Sequence, residues 1–228
     1  MKARLAPAAL VMLPLVAVCV AWWPQFLTFP GIVGGGALAG GLLLIVAFQT
    51  RKAGQELQKK LFATWGSVPS TQLLRHRDGT IPALEKARYH ALLQSIVPGV
   101  ALPTLQEETA SPDAADRNYE MAVGWLREQT RSNPVVVSEN GNYGFYRNLC
   151  ALRRLGSATA AIGIVGAVAL GVIQWMNGNI DWAPIGALFI SVLCALVFWL
   201  NAGPDQVRDA AIAYSLALIR AVDGPKKN

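Results

Sequence analysis

Histidine and cysteine are scarce in this chain, with two histidines and three cysteines among 228 residues. Cys19 and Cys194 fall inside apolar runs and Cys150 stands just before another, so the spacing supports neither a disulfide framework nor a cysteine-based metal site. Each reads as a small buried hydrophobe. A metal or acid–base role is considered for His76 and His90, but they lack a Cys partner and His-x-x-x-His or His-Glu spacing, so a metal site would need carboxylates supplied by the fold, and none is expected. The chain also has no Gly-x-Ser-x-Gly elbow, no Gly-x-x-x-x-Gly-Lys loop and no dinucleotide fingerprint. These absences remove the sequence support for a serine hydrolase, a P-loop nucleotidase or a dinucleotide enzyme, and no cofactor is implied.

Charge is the other shortage. Asp, Glu, Lys and Arg make up 15% of the residues against an apolar 53%, and the apolar residues are blocked into four runs. Pro7 to Trp23, Gly31 to Gln49, Ser157 to Met176 and Trp182 to Leu200 each lack Asp, Glu, Lys, Arg and His. About 20 helical residues cross a hydrocarbon layer of about 30 Å, so each run is long enough for a transmembrane helix with some tilt. A helix in lipid satisfies its own backbone, so Pro14, Gly34 to Gly36 and Pro184 need not break these runs. Lys2 and Arg4 ahead of the first run also fit a secretory signal. That run ends in Trp22 and Trp23 instead of a small-residue cleavage site, and bulky Val18 precedes Cys19, so it reads as a retained anchor. The absence of ionisable groups within the runs argues against a pump or secondary transporter.

Orientation follows from the basic residues. The short connections Pro24 to Pro30 and Asn177 to Asp181 contain no Lys or Arg, while Lys2, Arg4, Arg51, Lys52, Arg153, Arg154 and Arg208 flank the opposite ends. Trp22, Trp23, Trp175 and Trp182 gather at the other boundary, as an interfacial belt should. Both termini and the insert are therefore expected in the cytoplasm of a bacterial inner membrane. The net charge of +6 reports contact with anionic lipid more than nucleic-acid binding.

The expected fold is an all-α integral membrane protein. Residues 1–49 form a first transmembrane hairpin, with spans 7–23 and 31–49. Residues 50–155 form a mainly helical cytoplasmic domain, residues 156–201 a second hairpin with spans 157–176 and 182–200, and residues 202–228 a C-terminal amphipathic helix and basic tail. In the insert, Leu57, Leu61 and Trp65 share one face of a helix continuing the second span, ended at Gly66 to Pro69. Helices are expected over Ser70 to Arg77 and Ile81 to Val97, a loop over Leu102 to Ala110 with Glu107 and Glu108 solvated, and a helix from Ser111–Pro112 to Arg131. The last carries the stripe Ala115, Tyr119, Ala122 and Leu126. From Asn133 to Asn148, Val135 to Val137 and Asn140–Gly141 suggest a hairpin. The preferred reading is an extended segment followed by a helix from about residue 142.

Candidate recognition residues cluster in the insert: Arg75, His76 and Arg77; Arg88, Tyr89 and His90; and Glu139, Asn140, Asn142, Tyr143, Arg147 and Asn148. Arg75, Arg88 and Arg147 would suit the forked recognition of a phosphorylated small molecule, with Tyr89 or Tyr143 as a stacking surface. The plainer reading, a membrane-proximal surface whose arginines meet lipid phosphates, is preferred because no phosphate loop accompanies them. Gly36 and Gly40 make a Gly-x-x-x-Gly pair, and Gly163, Ala167 and Gly171 repeat the spacing in the third span. These serve either packing within one chain or a homo-oligomer. The layout resembles that of small bacterial membrane proteins with a cytosolic sensing domain, a likeness of architecture that gives no residue a role. The leading expectation is a non-enzymatic membrane-anchored sensor, scaffold or effector that binds a ligand or a cytosolic protein, with oligomerisation or pore formation left open. An enzyme acting on a lipid or nucleotide is the alternative, and a small transporter or channel subunit ranks last.

Overall fold

The computed structural model describes residues 2–179 and 181–224. The fold is 84% helical, and the described residues contain no strand. The helices are α1 (Lys2–Trp22), α2 (Phe29–Trp65), α3 (Pro69–Leu74), α4 (Ala83–Ile96), α5 (Leu105–Ala110), α6 (Pro112–Gln129), α7 (Pro134–Ala151), α8 (Arg153–Met176), α9 (Ala183–Asn201) and α10 (Pro204–Arg220). Short 3-10 turns lie at Pro24–Leu27 and Ala221–Asp223. Four of the helices, α1, α2, α8 and α9, contain stretches long and apolar enough to cross a membrane, as a multi-pass protein requires.

The chain divides into two compact units, Met1–Gln58 with Gly144–Val207 and Lys59–Tyr143 with Arg208–Asn228. In the first, α1, α8 and α9 pack on one another. The backbones approach closely at small residues. A side chain at Gly163 would strike Ser191 and Pro14, one at Gly166 would strike Val18, and one at Gly156 would strike the Phe198 ring. Ala21, Ala167, Leu170 and Ala187 fill one layer, and Val11, Leu149, Leu152, Phe198 and Ala202 fill another. Where lipid is as apolar as the side chains, such close contact is what holds helices together.

One polar side chain repairs a backbone defect in this unit. Pro7 has no N–H, so the carbonyl of Ala3 loses its ordinary partner one turn ahead, and Asn148 Nδ2 donates to that oxygen at 2.9 Å instead. Asn148 is 1% exposed, and a side chain at Gly54 of α2 would collide with it. Arg147 Nη1 donates to Gln58 Oε1 at 2.6 Å. Trp22 Nε1 donates to the Gly166 carbonyl at 3.1 Å.

The apolar stretch of α2 is different. Only 6% of it is buried, against 33% for α1, 33% for α8 and 28% for α9. Phe29, Leu38 and Phe48 are 80%, 66% and 74% exposed. Gly34, Gly36, Gly40 and Gly41 have open space where a side chain would stand. The two small-residue stripes therefore part company: Gly163 and Ala167 are consumed inside the chain, whereas Gly36 and Gly40 are not.

The second unit has its own core, from Leu73, Leu74, Ile81, Tyr89, Leu93, Val97, Tyr119, Ala122, Val123, Leu126, Val136, Leu218 and Ile219. The stripe Ala115, Tyr119, Ala122 and Leu126 is at most 2% exposed, as its helical spacing requires. Gly66, at φ 83°, ends α2 in the left-handed region that a side chain would strain.

Three local expectations are corrected. The segment read as a loop over Leu102 to Ala110 contains α5, opened by a reciprocal capping box in which Thr104 Oγ1 accepts from the Glu107 N–H and the Glu107 carboxylate accepts from the Thr104 N–H. Glu107 is exposed on it, but Glu108 is 4% exposed, because adjacent helical residues point about 100° apart. The hairpin or extended segment after Asn133 is instead the start of α7. Asn133 Oδ1 accepts from the N–H groups of Val135 and Val136 at 3.0 and 3.3 Å, and Pro134 occupies the first helical position. This cap, with Val136 and Tyr143 buried on one face, overrides the β-preference of the valines and the turn preference of Asn140–Gly141. Ser111 precedes Pro112 as expected but makes no side-chain capping bond.

Candidate functional site

The largest convergence of polar side chains lies in the second unit, around the segment from Arg75 to Pro82 that joins α3 to α4. Gly79 and Pro82 keep this segment out of helix, so its backbone groups need partners from elsewhere. Side chains supply them. From α4, Lys86 Nζ donates to the carbonyl of Arg75 at 2.6 Å and to that of Asp78, and His90 Nε2 meets the carbonyl of Leu74 at 2.8 Å. From α5, the Glu108 carboxylate accepts from the N–H of His76 at 2.7 Å and of Arg77 at 3.5 Å. From α6, Tyr119 donates its hydroxyl to Glu108 Oε2 at 2.8 Å, and Asp116 receives both forks of the Arg75 guanidinium. The His76 ring meets the Pro103 carbonyl at 2.9 Å. The segment is held as a closed clasp.

The electrostatics follow from burial and these bonds. The Arg75 guanidinium is pushed up by its bond to Asp116, against the cost of burial. Burial pushes Lys86 down, opposed by Asp78 and Glu108, and Lys86 is only 3% exposed. Burial also pushes His90 down. For Glu108, burial acts upward, but the donors from His76, Tyr119 and Arg77 outweigh it and hold the carboxyl below its ordinary range. Burial and the bond to that carboxylate push Tyr119 up.

Of the residues expected from the sequence, the structure brings Arg75, His76 and His90 together, with the exposed Arg77 guanidinium 4.0 Å from Glu108. Arg88 points elsewhere, donating to Asp223 at 2.5 Å and lying over the Tyr89 ring. Tyr89 is 2% exposed and donates to Glu85 at 2.7 Å. Glu139 lines a groove of about 480 Å³ with Asn133, Val135, Leu216, Ala217 and Arg220. Asn140 and Asn142 are exposed on α7, and Tyr143 is buried and stacked on Tyr214 with ring centroids 6.2 Å apart. Arg147 and Asn148 belong to the first unit, Arg147 bonded to the Gln58 side chain and Asn148 to the Ala3 carbonyl described above. The three arginines suited to a phosphate thus engage three separate partners, Asp116, Asp223 and Gln58.

Four members of the clasp, Lys86, Glu108, Asp116 and Tyr119, were not among those candidates. Tyr119 lay in the expected apolar stripe. Lys86 is detectable: with His90, Leu93 and Val97 it forms an i, i+4, i+7, i+11 row along the inward face of α4 and its C-cap, all at most 8% exposed. Glu108 needed the capping box to be recognised first. Among the described residues, no three His, Cys, Asp or Glu side chains converge as a metal site.

No protein-family model, no curated protein and no solved structure matches the chain.

Proposed function

We propose that this chain is a non-enzymatic, membrane-anchored scaffold or sensor of a bacterial inner membrane. Its termini and the segment between the second and third spans lie in the cytoplasm, and it self-associates through α2. The one observation that carries this reading is the contrast between α2 and the other apolar helices. The glycines of α8, Gly156, Gly163 and Gly166, lie against side chains of α1 and α9, while Gly36 and Gly40 have open space where a side chain would stand. A Gly-x-x-x-Gly face left open in lipid suits a second copy of the same helix, since close backbone approach and van der Waals contact drive association there. The exposed Arg51 and Lys52 that follow the span favour the cytoplasmic side for its C-terminal end.

The polar residues of the second unit support a binding role over catalysis. The clasp spends its hydrogen bonds on its own backbone, and the groove beside Glu139 and Arg220 offers a surface for a partner or small ligand. The mass of the full chain in lipid discs tests self-association. Wild type should be larger than one copy, and Gly36→Leu with Gly40→Leu should be monomeric with unchanged helix content. A wild-type monomer, or a double variant that associates as before, would overturn the proposal.

A further inference from the structure

His76 and His90 meet edge to face, with ring centroids 4.9 Å apart. Each turns Nε2 to a carbonyl oxygen, that of Pro103 for His76 and that of Leu74 for His90. A carbonyl accepts only, so both rings carry their proton on Nε2 and leave Nδ1 to take another. The charged and titratable groups facing the pair are Arg75, Arg77 and Asp78 on the segment itself, Lys86 on α4, Glu108 on α5, and Asp116 and Tyr119 on α6. Their balance is unfavourable to further positive charge. Asp116 is taken by Arg75, Asp78 Oδ1 accepts from the Thr80 N–H, the Glu108 oxygens are taken by two backbone N–H groups and Tyr119, and the hydrogen bonds of the Lys86 ammonium go to carbonyls. An imidazolium here would be a second buried cation beside Lys86, with a ring as its neighbour and a carbonyl, not a carboxylate, as the hydrogen-bond partner of each ring.

Release of the segment from Arg75 to Pro82 relieves that conflict. It carries His76 away from His90, opens both rings to water, and frees the backbone groups that Glu108 and Lys86 hold. We propose that the His76–His90 pair is a proton-sensitive latch, in which uptake of a proton at Nδ1 of either ring releases this segment from α4 and α5. Burial already disfavours the charged form of His90, so the proton that charges it draws the opening with it. The latch lies at the clasp and does not depend on self-association through α2. Glu108 is still ionised over the range in which histidine takes up its proton, so the carboxylate is not the trigger.

Amide hydrogen exchange on the full chain in lipid discs tests the latch. After correction for intrinsic rates, protection at His76 and Arg77 should fall about tenfold or more between about pH 7.5 and about pH 5.5. Protection at Val123 and Leu126 in α6 should stay the same. The double variant His76→Gln with His90→Gln keeps an N–H donor at each position and cannot titrate, so its protection should be equal at the two pH values. Unchanged protection in wild type overturns the latch, as does an equal loss in the double variant. A loss of the same size at Val123 and Leu126 also overturns it, because that is unfolding of the unit. Should the double variant fail to fold, ring nitrogen shifts of wild type decide the matter. Ring protonation that coincides with the loss of protection supports the latch, and protonation of either ring with protection intact overturns it.

Discussion

Replacing Glu108 by Ala should damage the protein far more than replacing its neighbour Glu107, although the two are adjacent acids on one short helix. The Glu108 carboxylate is 4% exposed and accepts from the His76 N–H at 2.7 Å and the Tyr119 hydroxyl at 2.8 Å, with a longer bond from Arg77. Tyr119 is 0% exposed, so its hydroxyl cannot turn to water when the acceptor is removed. Each buried donor left without a partner costs about 1–3 kcal/mol. Lys86, 3% exposed, loses a nearby negative charge as well, which places the whole change at about 3–5 kcal/mol, in the range for breaking a buried charged network. Glu107 is exposed and loses only its reciprocal cap with Thr104, so Glu107→Ala should be the milder change. Hydrogen exchange at Ala122, Val123 and Leu126, in the core of the same unit, reads the difference. Glu108→Ala should lower their protection by about two to four powers of ten. Glu108→Gln, which keeps one oxygen acceptor, should fall between the two alanine variants. Equal effects of Glu107→Ala and Glu108→Ala, or a change under about 1 kcal/mol at Glu108, would refute the closed clasp.

Acid should destabilise the second unit through Glu108 in a definite window. Its folded carboxyl titrates below the ordinary 4.5, so the unfolded chain binds the proton first, and the stability it contributes is present above that value and lost as pH falls through the folded one. Denaturant midpoints measured against pH should show this limb in wild type and a flatter one in Glu108→Gln; identical limbs would contradict the assignment. Asn148→Leu should cost about 1–3 kcal/mol by leaving the Ala3 carbonyl without a donor. Adding Pro7→Ala should recover much of that cost, because it restores the helix's own N–H, and a thermal melt of the double variant that shows no recovery would refute the backbone-repair role. Gly163→Val should destabilise the monomer by about 1–3 kcal/mol through collision with Ser191 and Pro14, while Gly36→Val should leave its stability unchanged. Unfolding in mild detergent compares the two, and similar losses would mean that α2 is packed within the chain after all.

Long-range composition was easier to read than local chemistry. The four apolar runs were legible because membrane crossing imposes a length and a charge rule that a single sequence displays openly. Their partners were not. Gly36–Gly40 and Gly163–Ala167 have the same spacing, and only the fold separates the helix that packs from the helix that does not. In the second unit, the stripe through Tyr119 is readable because its period is helical, whereas α5 hides in a short polar sequence whose signal is the Thr104–Glu107 cap. The start of α7 is not legible, because Val135 to Val137 and Asn140–Gly141 carry local preferences that burial of Val136 and Tyr143 outweighs. Of the clasp, Arg75, His76 and His90 stand out in the sequence as unusual residues, yet the groups that hold them, Leu74, Lys86, Pro103, Glu108 and Asp116, lie at separations of up to 41 residues. Lysine and glutamate are so seldom buried that Lys86 and Glu108 pass for surface until their helical rows are drawn.

Cross-linking in membranes tests most directly whether α2 is the surface by which the chain meets itself. In a background with Cys19, Cys150 and Cys194 replaced by Ala, Gly40→Cys should give a disulfide-linked dimer on mild oxidation, because equivalent positions on a close two-fold helix contact lie near one another. Gly163→Cys, turned toward Ser191 and Pro14 inside the chain, should remain monomeric. No dimer from Gly40→Cys, or an equal yield from Gly163→Cys, would contradict the account.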